Sequence, residues 1–253
     1  MNQDLKRLRM EIVKMVMRGK EGHIPSSFSL LEIIYSIYSG VLRKNFGDRF
    51  VLSKGHAAAA LYVVLTEFNL ISKIHIEQYG NNGSSIGGHP DRLKIDGVEA
   101  STGSLGHGMP FATGLALANK ISKKDERVYC LVGDGECQEG TIWEAANIAS
   151  NNSLGRLCVI VDWNGSGAQL QPIENLQEKW ASFGWEVFSC DGNSLPSLAN
   201  TFASLNFENN IPKLVLAKTI KGFGVSFLQG HGEWHHKIPN ATQLQQIESE
   251  LLN

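Results

Sequence analysis

The sequence predicts a doubly wound α/β fold, a mostly parallel sheet with helices on both faces, and three observations carry that prediction. Val128-Tyr129-Cys130-Leu131-Val132 and Leu157-Cys158-Val159-Ile160-Val161 are short, β-branched and almost uniformly apolar, as strands buried on both faces of a parallel sheet are. Between them, 139–150 reads as a helix, with Trp143, Ala146, Ile148 and Ala149 giving apolar faces and Asn151-Asn152-Ser153-Leu154-Gly155 giving the stop. The same alternation of strand and helix then recurs along the chain.

In chain order, helices are expected at about 4–18, 29–39, 56–69, 105–121, 139–150, 173–182, 195–205 and 241–251, and strands near 49–52, 128–132, 157–161, 185–189 and 213–218. The first helix rests on an amphipathic stripe of Leu5, Leu8, Ile12, Met15 and Val16 among charges, unlike the unbroken apolar core of a signal peptide. The polar, glycine-rich stretch 79–108 is too long for a plain connector, and loops of that length generally carry function or disorder. It contains His89 and the turn Ser104-Leu105-Gly106, which favours function. No internal repeat or low-complexity tract interrupts the pattern.

At 253 residues the chain suits one generous α/β domain spanning 1–253. Its formal charge is −2 with the basic residues dispersed, so nothing argues for nucleic acid or an anionic membrane surface as partner. No run approaches membrane-spanning length. Cys130, Cys137, Cys158 and Cys190 have no CxxC or zinc-like spacing, and two of them fall in expected buried strands. A soluble, cytoplasmic protein without disulfides is expected.

Gly133-Asp134-Gly135 and Asp162-Trp163-Asn164 each stand where an apolar strand ends. In a strand-helix-strand unit the two strands are parallel and commonly adjacent, so Asp134 and Asn164 should emerge together at the carboxyl edge, where open α/β sheets bind ligands. A carboxylate oxygen and an amide oxygen there suit one hard cation such as magnesium, whose remaining ligands come from phosphate and water. Gly133 and Gly135 would let backbone N–H groups reach phosphate oxygens, with Glu136 beside them. Taken alone, Gly-Asp-Gly is also an ordinary tight turn and Asp-x-Asn an ordinary loop. The paired placement on two strand ends is what favours the site.

From Gly133-Asp134-Gly135 through Asn164 the chain resembles the thiamine diphosphate motif. Ser53-Lys54-Gly55-His56, Gly88-His89-Pro90, Thr102-Gly103-Ser104-Leu105-Gly106 and Lys221-Gly222-Phe223-Gly224-Val225-Ser226-Phe227 with Trp234-His235 are similar to successive stations of the transketolase amino-terminal domain. The resemblance covers nearly the whole chain. It implies the diphosphate-binding domain of the thiamine diphosphate-binding fold, a cofactor of thiamine diphosphate with Mg2+ (or Ca2+ or Mn2+ in its place), and transfer of a two-carbon ketol unit from a ketose to an aldehyde.

Residue by residue, the resemblance implies Asp134, Asn164 and a main-chain carbonyl near Ser166 as metal ligands. It places His56, Gly135 and His235 at the diphosphate or thiazolium end, and Ser104-Leu105-Gly106 along the cofactor. His23 and His89 match positions lining the donor-sugar channel, and Glu139 a carboxylate facing the pyrimidine-binding partner. Imidazoles titrating near neutrality suit the proton movements of ketol transfer. Glu139 and Glu144, five apart on a helix, point in different directions, so only one can face the cofactor, and Glu139 is preferred. His75, His231 and His236 are expected to be solvated and His107 is undecided. Trp143 and Trp163 are expected in packing, with Trp234 shielding the pocket.

Three departures stand out: His107 where relatives carry Gln, Gly165-Ser166-Gly167 without the usual Ile-Asp-Gly ending, and a displaced proline near His23. In the family the glutamate that activates the cofactor lies on a pyrimidine-binding domain, expected here on a companion chain together with the carboxy-terminal domain. The resemblance therefore implies a split transketolase, inactive without its partner, assembled as α2β2 and acting on small sugars or sugar phosphates. The alternatives are an acyloin-forming or acyl-transferring subunit using a 2-oxo acid, and a non-catalytic scaffold.

Overall fold

The computed structural model describes residues 2–169 and 171–252. Among them, five strands form one parallel sheet: β1 (Arg49–Leu52), β2 (Val128–Gly133), β3 (Leu157–Trp163), β4 (Glu186–Asp191) and β5 (Lys213–Lys218), in the order β1-β2-β3-β5-β4. Each strand lies within two residues of its expected place. β2 and β3 are neighbours, in a register that sets Gly133 opposite Asp162.

The helices are α1 (Gln3–Gly19), α2 (Ile24–Ser36), α3 (Ala58–Glu67), α4 (Lys73–Glu77), α5 (Gly108–Ile121), α6 (Gly140–Asn151), α7 (Leu176–Ser182), α8 (Leu195–Ser204) and α9 (Ala241–Leu252). Alternate strand residues divide the apolar interior into two cores. Leu52, Leu131, Ile160 and Val215 pack with α1, α2, α3, α8 and α9, whereas Val51, Val132, Val161 and Leu216 pack with α5, α6 and α7. The four cysteines are free and buried, and no described helix is long and apolar enough to cross a membrane.

Of the differences from the sequence pattern, three bear on the architecture around the site. α2 starts at Ile24, five residues before the expected 29–39 helix, and passes into a π-helical turn over Ile37–Val41. Pro25 presets the first turn, and Ser26, Ser27 and Ser29 are buried rather than marking a polar loop, so periodicity alone missed it. α5 starts at Gly108 rather than near 105, because Gly106 is used elsewhere: its N–H donates to Glu136 and its carbonyl accepts from the Thr141 hydroxyl. The one-turn α4 falls in a stretch whose polarity hid it.

A buried ion pair fixes how the first two helices meet the loop after β5. Arg9 on α1 gives Nη2 to both oxygens of Glu32 on α2 at 2.8 Å, and its Nε to the Phe223 carbonyl at 2.8 Å. The two side chains are 0% and 1% exposed, and the Phe28 and Phe223 rings flank the guanidinium. The Gly222 N–H also donates to Pro25. The loop is thus held on the start of α2. Removing one partner strands a buried charge, so Arg9→Met should lower unfolding free energy by about 3–5 kcal/mol, whereas Arg9→Met with Glu32→Leu should recover most of it. Urea denaturation followed by circular dichroism checks this.

Candidate cofactor and metal site

The loops leaving β1, β2, β3 and β5 at their carboxyl ends converge on a cavity of about 490 Å3 lined by Lys54, His56, Gly133, Asp134, Gly135, Glu136, Ser166, Gly167 and Lys221. His23 and Ser26 from the start of α2, and His89, Gly103, Leu105 and His235 from longer loops, complete its wall. A larger groove of about 690 Å3, bounded by α1, α3 and α4, is lined by no strand-end residue.

Asp162, 0% exposed at the end of β3, organises the floor. Its carboxylate accepts from the Lys54 ammonium at 2.6 Å, from the Ser29 hydroxyl at 2.7 Å, from the Thr219 hydroxyl and from the Asn164 amide at 3.3 Å. The Asn164 Nδ2 also donates to Ser29 at 3.0 Å, so its Oδ1 is turned the other way, where it accepts from the Ser166 N–H at 2.9 Å. One buried anion therefore sets a lysine and the amide of Asn164.

Asp134 stands beside this group, its main-chain N–H donating to the Asp162 carbonyl at 3.2 Å. Its side chain is 7% exposed and accepts from the N–H groups of Gly135, at 2.8 Å, and Gly167. Burial raises its pKa, the charge of Asp162 adds to the rise, and Lys54 opposes it. Gly135 and Gly167 touch closely: a methyl on Gly167 would come within 2.9 Å of the Gly135 backbone.

Glu136 ties the second wall. Nearly buried, it accepts from the Ser53 hydroxyl at 2.5 Å, the Gly106 N–H at 3.0 Å and the Gly133 N–H at 3.1 Å, joining the loops after β1 and β2 to the turn before α5. Burial raises its pKa and these three donors oppose the rise. Glu139, by contrast, is exposed at the α6 N-cap and does not line the cavity. Glu144 lies on a separate groove between α5 and α6.

The third wall is imidazole. The ring of His23 lies 5.1 Å from His56, 5.2 Å from His235 and 4.6 Å from His236, each edge-on, and its Nδ1 is buried without a partner. Burial first, then the neighbouring imidazoles, pushes His23 down to about 4. Burial, then the Lys54 charge, pushes His56 down to about 2. His235 is lowered by burial and by Lys221, whose ammonium donates to its Nδ1 at 3.2 Å.

His23, His56, His89 and His235 thus share one cavity with Asp134, Gly133, Gly135, Glu136 and Leu105, while Gly106 backs it through Glu136. Ser104 is exposed and outside it. Two histidines expected to be solvated are exposed yet engaged: His236 packs on His23, and His231 bonds to Ser166. His75 also bonds, to Ser85. His107 is exposed, precedes α5 without a side-chain capping bond, and contacts the Leu105 carbonyl outside the cavity. Trp143 packs on Trp180 and Phe183 as expected, and Trp163 stacks under Lys218. Trp234 packs on Phe227 rather than lining the cavity.

Sequence reasoning passed over Lys54, Lys221, Ser29 and Asp162. Both lysines stand inside the motifs that carry the family resemblance, and an acidic residue closing an otherwise apolar strand is a signal that could have marked Asp162.

Among the described residues no three His, Cys, Asp or Glu side chains are grouped to hold a metal. What Asp134, Asn164 and the Ser166 carbonyl can offer is one carboxylate, one amide oxygen and one main-chain oxygen, a hard set that fits Mg2+ or Ca2+. The Ser166 carbonyl already accepts a 3.3 Å bond from Gln169 N–H, which leaves it a second lone pair. The adjoining cradle of glycine N–H groups and two lysines fits a diphosphate.

Residues 2–251 match the family model described as transketolase, thiamine diphosphate binding domain. The chain belongs to the transketolase family. It is 36% identical over 255 residues to an apulose-4-phosphate transketolase subunit of Phocaeicola vulgatus, covering 96% of this chain and 90% of that one. It is 34% identical to a 6-deoxy-6-sulfo-D-fructose transketolase subunit of a Clostridium species, covering 83% and 80%. Transketolase from Leishmania mexicana superposes with a TM-score of 0.88 at 26% identity, over 99% of this chain but 41% of that one. The family and these subunit-length relatives make the chain a ketol-transferring transketolase subunit, and they do not favour the acyloin-forming or scaffold alternatives.

Because the imidazoles of His23 and His56 lie folded below 6.5, the unfolded chain binds protons more readily than the folded one beneath that value. Their contribution to stability is complete above pH 6.5 and declines as pH falls below it, down to about 4 for His23 and about 2 for His56. Urea midpoints measured across that window should fall, and His23→Gln should flatten the slope. Gly167→Ala should weaken cofactor binding and also lower the urea midpoint, since the added methyl would fall within 2.9 Å of the Gly135 backbone and push the two loops apart.

Proposed function

We propose that this chain is the diphosphate-binding half of a two-chain transketolase, whose companion supplies the pyrimidine-binding and carboxy-terminal domains and the activating glutamate. The observation that carries this reading is that a buried Asp134 shares one cavity at the carboxyl edge of the sheet with Lys54 and Lys221, while Asp162, bonded to Lys54 and Asn164 by its carboxylate and to the Asp134 N–H by its carbonyl, stands beside it. The relatives named as transketolase subunits support the companion, an α2β2 heterotetramer is the assembly we favour, and a cytoplasmic setting agrees with the free buried cysteines.

In this reading Asp134, the Asn164 Oδ1 and the Ser166 carbonyl hold Mg2+, or Ca2+ or Mn2+ in its place, and the N–H groups of the 133–136 and 166–167 loops receive the diphosphate. Thiamine diphosphate supplies the carbanion chemistry that carries the two-carbon ketol unit. Asp162 pairs with the Lys54 ammonium and holds the Asn164 amide nitrogen, which turns the Asn164 oxygen the other way. His23, His56, His89 and His235 line the cavity where the hydroxyls of the ketose and the aldehyde would lie; burial holds His23 and His56 neutral, so those two serve as hydrogen-bonding partners, and the proton transfers fall to His89 and His235. Glu139, exposed beside Gly106, is the carboxylate we assign to the contact with the companion rather than to the substrate. The relatives' names include a sugar phosphate and a sulfonated sugar, so small sugars with an anionic end are the substrates we favour.

The test is calorimetric titration of thiamine diphosphate with Mg2+ into the chain combined with its companion. Asp134→Ala should weaken binding by more than the roughly 10–100-fold that outer-shell partners of a metal are worth. Undiminished binding by that variant, or none by the unaltered pair, overturns the reading.

A further inference from the structure

The segment 229–238 is a strap that forms neither helix nor strand and is almost wholly exposed, yet it carries two of the imidazoles that crowd the cavity mouth. Its base is anchored where the Gly230 N–H donates to the Lys221 carbonyl at 3.1 Å. Further along, Trp234 packs on Phe227, Lys237 pairs with Glu233, His235 accepts from Lys221, and His236 lies against His23.

One contact leads elsewhere. The His231 Nδ1 lies 3.3 Å from the Ser166 hydroxyl, and the ring also bonds to the Asn164 main chain. Its Nε2 sits 3.5 Å from where a side chain on Gly165 would begin, so the imidazole covers the 164–166 turn. Gly230 and Gly232, at φ +96° and +110°, flank His231 in open space. A side-chain-bearing residue is strained at such angles, so the backbone is bent at both neighbours in the way that sets this ring on that turn.

We propose that His231 is a positioning residue that latches the strap to the 164–166 turn, so that filling the diphosphate and metal end of the cavity orders the imidazoles at its mouth. The inference rests on the proposed function, in which Asn164 and Ser166 contact the metal. The physical link is short. An ion held by Asn164 and Ser166 stiffens the turn, a stiff turn gives His231 a fixed partner, and a fixed His231 holds His235 and His236 over His23. By reciprocity the strap's docking strengthens cofactor binding by the same factor.

Backbone hydrogen exchange read by mass spectrometry tests this on the chain with its companion, with and without Mg2+ and thiamine diphosphate. For the unaltered protein, exchange in 229–238 should slow by about fivefold or more, the lower end of ordinary coupling between sites. His231→Ala should remove that slowing while residues 133–139 remain protected by the cofactor, and His231→Asn, which keeps a donor, should restore part of it. His231 is exposed, so neither change threatens folding. An equal response in His231→Ala, or an unresponsive strap in unaltered protein that calorimetry shows to be loaded, overturns the latch and leaves the proposed function standing. Absence of cofactor binding overturns both.

Discussion

The buried carboxylate of Asp162 is the constraint on which this site depends. A charge with no exposure is tolerated only when its hydrogen-bonding capacity is filled. Here Lys54, Ser29, Thr219 and Asn164 fill it, from the loop after β1, from α2, from the segment after β5 and from its own loop. Each donor is a side chain whose position matters to the cavity or to a wall beside it. The requirement to neutralise one anion therefore also assembles the floor of the site.

Around that floor the molecule repeats the same device at lower cost. Glu136 gathers three loops through the Ser53 hydroxyl and two backbone N–H groups, and Arg9 with Glu32 clamps the 222–223 backbone onto α2. These buried polar groups do not add much net stability over apolar replacements of equal volume. What they supply is register: loops without regular structure are held within hydrogen-bonding tolerance of one another, which a cavity for a charged ligand requires. The imidazole wall differs in kind. Burial there depresses the basicity of His23 and His56, leaving rings that stay neutral near neutral pH and suit hydrogen bonding more than proton uptake, unlike the near-neutral titration expected from sequence.

Strands were the most legible part of the sequence, because residues buried on both faces of a parallel sheet have to be apolar throughout and short. The neighbouring of β2 and β3, and hence the approach of the Asp134 and Asn164 loops, followed from connection rules alone. The start of α2 was not legible, since Ser26, Ser27 and Ser29 look like loop residues until the rest of the molecule covers them. Glu139 and Glu136 illustrate the same limit. The family resemblance singled out Glu139, with helical spacing only separating it from Glu144, and the turn of 3₁₀ helix over Gly135–Gln138 carries Glu136 inward and leaves Glu139 on the surface.

By itself the sequence determined the parallel α/β architecture, the strand edge at which the cavity opens, and the family to which the chain belongs. Those follow from periodicity, from strand-end motifs and from local chain geometry. Tertiary structure alone decided which charges are paired, that Lys54 and Lys221 belong to the cavity, and that the exposed His231 and His236 have partners there. Such outcomes depend on residues separated by tens to hundreds of positions competing for the same buried space, and no local pattern encodes that competition.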